Sequence, residues 1–102
     1  MAFLSATRTG LRIALRAETR IGRASTNQIR LSAPEVSGEH AVIRWRDDQW
    51  EIQDLNSRNG TLVNDDKLEP GVWTALDVGD RLAFGSVQIA YDFDEGGPPA
   101  AG

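Results

Sequence analysis

Apolar residues in this chain recur at every second position, in short runs cut by turn-forming residues, and no window repeats them at helical spacing for three turns. Ala41, Ile43 and Trp45 share one face of such a run, while Val42, Arg44 and Arg46 share the other. Trp50 and Ile52 continue an inward face after a tight turn at Asp47 and Asp48, and Leu55 then breaks the parity, which predicts a bulge or bend near Asp54. The final run is the cleanest, with Val87, Ile89, Tyr91 and Phe93 alternating against Ser86, Gln88, Ala90 and Asp92. Weaker runs stand at residues 2–7, 11–16, 19–22, 29–31, 61–63, 67–68, 72–76 and 82–84, the 63–67 connection reading as a two-aspartate turn at Asp65 and Asp66. Nine to eleven short strands with turns between them specify an all-β sandwich or barrel.

At 102 residues the chain makes one domain, large enough to bury a core without staples. It has no cysteine, which excludes disulfides, thiolate metal sites and cysteine catalysis. No apolar run reaches the length of a membrane-spanning helix, and the first ten residues lack the basic start and apolar stretch of a signal peptide. A cytoplasmic domain over residues 1–93 is expected, followed by a flexible Gly/Pro-rich tail or linker over 94–102 (DEGGPPAAG). That tail suggests a module tethered to a larger protein.

The net charge of −4 argues against a nucleic-acid binder. Its distribution is uneven: residues 1–46 carry eight arginines against Glu18, Glu35 and Glu39, and residues 47–102 carry twelve carboxylates against Arg58, Lys67 and Arg81. The basic half could receive an anion, or interleaved strands could erase the asymmetry in space.

Three irregular segments hold the residues with chemistry to offer. They are Gly22-Arg23, SGEH at 37–40, and SRNGTLVN at 57–64, where Asn59-Gly60 is a strong turn signal. Between them they supply a guanidinium, a hydroxyl and a carboxamide on loops of a β scaffold, a donor set that suits a phosphate. With Gly79-Asp80 before another apolar strand, these four motifs, in order and at these spacings, resemble the forkhead-associated (FHA) domain over about residues 21–93. The resemblance implies a sandwich of two sheets totalling eleven strands. It also implies recognition of phosphothreonine, in preference to phosphoserine, within a partner protein or peptide modified by a Ser/Thr kinase. By motif position it makes Arg23 the main phosphate-binding cation, Ser37 a hydroxyl donor to the same phosphate, Asn59 a contact to the peptide backbone, and Arg58 a neighbouring contact. Gly22, His40 and Gly60 become supports of the binding loops. Gly38 stands where the family often has arginine or asparagine, and offers the phosphate only its N–H.

Other functions fit the residues less well. Ser37 and His40 could in principle form a nucleophile and base, but no nucleophile elbow or Ser-x-x-Lys pattern accompanies them, so an enzyme is not expected. Neither a cofactor nor a metal site is expected, the clustered aspartates being turn residues. Trp45 and Trp50 sit on apolar faces and read as core, while Trp73 could belong to a sugar-binding strip. The main alternative is a phospho-independent interaction or dimerisation scaffold of the same fold, which Gly38 favours and Arg23, Ser37 and Asn59 oppose.

Overall fold

The computed structural model describes residues 1–99. Its strands are β1 (Phe3–Ala6), β2 (Arg12–Ala14), β3 (Glu18–Gly22), β4 (Ile29–Arg30), β5 (Ala41–Arg46) and β6 (Gln49–Asp54), then β7 (Thr61–Val63), β8 (Asp66–Lys67), β9 (Thr74–Ala75), β10 (Arg81–Phe84) and β11 (Ala90–Asp94). Six form one sheet in the order β2-β1-β11-β10-β7-β8, and five form the other in the order β4-β3-β5-β6-β9. Pairing is antiparallel except between β3 and β4, which run parallel. The fold is therefore the all-β two-sheet sandwich, with the expected eleven strands.

Period-two alternation puts the core between the sheets. Ile21, Ile43, Trp50 and Ile52 from the five-stranded sheet face Leu4, Leu82, Phe84 and Phe93 from the other, each at most 1% exposed. Trp45 packs edge-on to Trp50 with ring centroids 5.4 Å apart, and Trp50 meets Phe93 at 6.3 Å. Trp73 is half-buried with the Arg44 guanidinium 3.6 Å above its ring centroid, and Arg44 is held in turn by Glu51 at 2.9 Å. The three tryptophans therefore form no exposed aromatic strip.

Several local readings change. The β5–β6 turn is centred on Asp47 and Asp48, both with φ near +60°, as a type I′ hairpin requires. The β7–β8 turn has the same form but is centred on Asn64 and Asp65, so Asp66 already pairs with Val63 and the two-aspartate reading is one residue out of register. No bulge forms at Asp54. Strand β6 ends there, and the Leu55 N–H donates to the His40 carbonyl as the chain departs. The run at 72–76 pairs only at Thr74 and Ala75, and the last strand begins at Ala90, because residues 86–89 close a turn (Ile89 N–H to the Ser86 carbonyl) and leave Val87 66% exposed.

Strand β11 runs one residue past Phe93, and the segment after it is tied back to the domain. The Gly97 N–H donates to the Met1 carbonyl at 3.0 Å, and the Trp50 indole N–H donates to the Gly97 carbonyl at 2.8 Å. The rest of the expected tail, from residue 100, lies outside the described residues.

Candidate functional site

Three connections meet at one end of the sandwich: 23–28 after β3, 31–40 after β4, and 55–60 after β6. The first two are laced together by the backbone. The Arg23 N–H donates to the Ser37 carbonyl at 2.9 Å and the Ala24 N–H to the Gly38 carbonyl at 3.2 Å. Gly22 makes this approach possible, since a Cβ there would stand 2.2 Å from the Gly38 oxygen and 2.8 Å from Asn27 Nδ2. The Asn27 carboxamide, buried at 8% exposure, donates to both the Ala24 and Gly38 carbonyls.

His40 joins the second connection to the third. Its ring is fully buried, edge-on to Phe84. The Ser37 N–H donates to Nδ1 at 3.0 Å, which places the ring proton on Nε2, and Nε2 donates to the Gly60 carbonyl at 2.9 Å. With both nitrogens engaged and the Ser37 hydroxyl turned toward the Arg58 N–H, His40 and Ser37 do not form a nucleophile–base pair.

The third connection is organised by a buried carboxylate. Asp54 is 1% exposed and accepts from the Ser57 N–H, the Ser57 hydroxyl and the Thr61 hydroxyl. Ser57 Oγ accepts in turn from the Gly60 N–H at 3.0 Å. This closed set of bonds shapes the 57–60 loop and holds Arg58 and Asn59 at its exposed tip.

The result is a small pocket of about 130 Å³ lined by Arg23, Pro34, Glu35, Val36, Ser37, Gly38, Arg58 and Asn59. All five residues expected to bind a ligand converge on it, and Gly22, His40 and Gly60 lie in the bonded layer beneath. Ser37 Oγ accepts from the Arg58 N–H at 2.9 Å, so its own proton remains to be donated elsewhere. The Asn59 amide nitrogen donates to the Glu35 carbonyl at 2.9 Å, which leaves its oxygen as an acceptor on the rim. Arg23 and Arg58 are exposed, and among the described residues the ion pairs involve Arg12, Arg20, Arg44, Arg46 and Arg81 instead. The pocket thus presents two guanidinium groups outside these ion pairs, a hydroxyl donor and loop N–H groups beside the single acidic residue Glu35, which suits an anion.

Sequence reasoning missed Asn27, Glu35 and Asp54 as parts of this site. Asp54 carried a usable signal, an aspartate three residues ahead of a serine in a turn, the spacing at which a carboxylate caps a backbone N–H. Asn27 sits in an ordinary polar loop with no such signal.

The comparisons with known proteins agree with this geometry. The family model for the FHA domain matches residues 19–85. The chain belongs to the FHA domain family. Protein phosphatase 2C 70 of Arabidopsis thaliana is 37% identical over 75 residues, which is 72% of this chain and 12% of the phosphatase. In Mycobacterium tuberculosis, the solved structure of EmbR in complex with a low-affinity phosphopeptide superposes with a TM-score of 0.84 at 30% identity, covering 99% of this chain and 26% of that one. A structure solved in a study of phosphothreonine-dependent FHA domain interactions superposes with a TM-score of 0.79 at 28% identity over 92% of this chain and 95% of that one. The chain therefore spans only a small part of the phosphatase and of EmbR.

Proposed function

We propose that this domain is a phosphopeptide-binding module that recognises phosphothreonine in partner proteins modified by a Ser/Thr kinase. The observation that carries the reading is the convergence of Arg23, Ser37 and Asn59, lent by three separate connections, on one pocket. A phosphothreonine brings close to two negative charges and three acceptor oxygens. In this reading Arg23 donates two parallel bonds to the phosphate, the free Ser37 proton and the Gly38 N–H complete the shell, and Arg58 neutralises the outer oxygens. Asn59 turns its free oxygen to the N–H groups of an extended peptide. The module acts in signalling or assembly within a larger cytoplasmic protein and performs no catalysis, His40 being committed to structure.

Membership of a family with solved phosphopeptide complexes supports this over a phospho-independent scaffold. The test is calorimetric titration of a phosphothreonine peptide set against unphosphorylated and phosphoserine controls. The wild-type domain is expected to bind only the phosphorylated peptides, with phosphothreonine tighter. Arg23→Ala should lower affinity by about 1.5–3 kcal/mol, roughly ten- to a hundred-fold, with the melting temperature unchanged. Equal binding of phosphorylated and plain peptides would replace this reading with the scaffold.

A further inference from the structure

Strand β8 folds back beside β7, with Lys67 opposite Leu62 and the Leu68 N–H donating to the Thr61 carbonyl. This brings Lys67 back toward the loop end of the sandwich. Its side chain then runs along that edge. A Cβ built on Gly60 would stand 2.7 Å from Lys67 Cε and 3.5 Å from its Cδ and Cγ. The lysine stem therefore lies across Gly60, and the ammonium, one bond beyond Cε, emerges beside the residue that follows Asn59. Gly60 has a φ of +87° and no side chain, so its surface is open to this packing.

Charge points the same way. Among the described residues Lys67 has no ion pair, and neither do Arg23 and Arg58. Arg8, Arg16 and Arg30 are likewise outside these ion pairs, so what sets Arg23, Arg58 and Lys67 apart is that all three stand around one group of loops.

We propose that Lys67 is a further ligand-binding residue, receiving a carboxylate side chain that flanks the phosphothreonine in the bound peptide. The proposal rests on the phosphothreonine reading above. Packing of the stem on Gly60 orders the lysine before the ligand arrives, so less side-chain freedom is lost on binding. Its ammonium is a compact charge that accepts a carboxylate from many directions, unlike the planar fork of Arg23. The site is exposed, so the contact selects among phosphopeptides and weakens with salt, rather than setting the bulk of the affinity.

The test uses three phosphothreonine peptides of equal length whose flanking positions on both sides are glutamate, alanine or lysine, each with an unphosphorylated copy. They are titrated against wild type, Lys67→Ala and Lys67→Arg at low and high salt, with melting temperatures recorded. Wild type is expected to bind the glutamate-flanked peptide about three- to fivefold tighter than the alanine-flanked one at low salt. Lys67→Ala should erase that preference while leaving alanine-flanked binding and melting unchanged, and Lys67→Arg should restore it. A wild type without the preference, or a Lys67→Ala domain that retains it or weakens on both peptides equally, overturns the proposal alone. Failure of the wild type to distinguish phosphorylated from plain peptide overturns the phosphothreonine reading and this proposal with it.

Discussion

Among single residues, Gly22 and Gly38 differ in what their missing side chains do. The Gly22 backbone is pressed against the Gly38 carbonyl, so any side chain there would force the first two binding connections apart. At Gly38 a Cβ would meet nothing closer than Ala24 Cβ at 4.0 Å, and its φ lies outside the left-handed region. The sequence resemblance marks Gly38 as a departure that removes a side-chain phosphate contact common in the family, and the structure adds that the space for a donor is still open. Gly38→Asn is accordingly expected to tighten phosphothreonine-peptide binding by roughly 1 kcal/mol, about fivefold, through one more bond to a charged group. Titration with the same peptide before and after the substitution checks it, and unchanged or weaker binding would show that position 38 does not face the phosphate.

At the level of elements, the site depends on loops that are stiffer than their composition suggests. The 31–40 connection packs Leu31, Ala33 and Val36 against the core, and His40 and Asp54 fasten it and the 55–60 connection through bonds to Ser37, Ser57, Gly60 and Thr61. Removing the His40 ring strands the Ser37 N–H and leaves a cavity beside Phe84. His40→Ala should cost about 2–4 kcal/mol, a melting temperature lower by roughly 10–20 °C in a domain of this size. Thermal unfolding followed by circular dichroism measures it. A drop below a few degrees would mean that the two connections hold their shape without the histidine. The hairpins show how turn chemistry sets register. Asn64 takes the first left-handed position of the β7–β8 turn, so Asp66 enters the ladder and Lys67 is placed opposite Leu62.

Across the whole molecule, the charge asymmetry of the chain is only partly preserved. Arg12 and Arg44 of the basic half are paired with Asp94, Glu95 and Glu51 of the acidic half, so the fold cancels part of it, and among the arginines left outside ion pairs Arg23 and Arg58 share the pocket at the loop end. The six-stranded sheet also holds a phenol half-removed from water. Burial raises the Tyr91 hydroxyl above its ordinary value of 10.0, because the protein disfavours the phenolate. Tyr91 therefore stays protonated in the folded state after it has begun to ionise in the unfolded chain. Its contribution is fully present below about pH 10 and is lost as pH rises through the folded value. Urea unfolding at about pH 8 and pH 11 should show a loss of stability in the wild type that is smaller in Tyr91→Phe, and equal losses in both would place the alkaline effect elsewhere. The all-β class, most strand faces and the chemical character of the site follow from the sequence by itself, because period-two alternation, turn residues and a guanidinium–hydroxyl–carboxamide set are local features. Tertiary structure alone decided that Asp54 and Asn27 brace the loops, that the Ser37 proton and the Asn59 oxygen are the free ones, and that Lys67 reaches Gly60. Each of these depends on which groups distant in sequence become hydrogen-bond or packing partners, and local pattern carries no record of that.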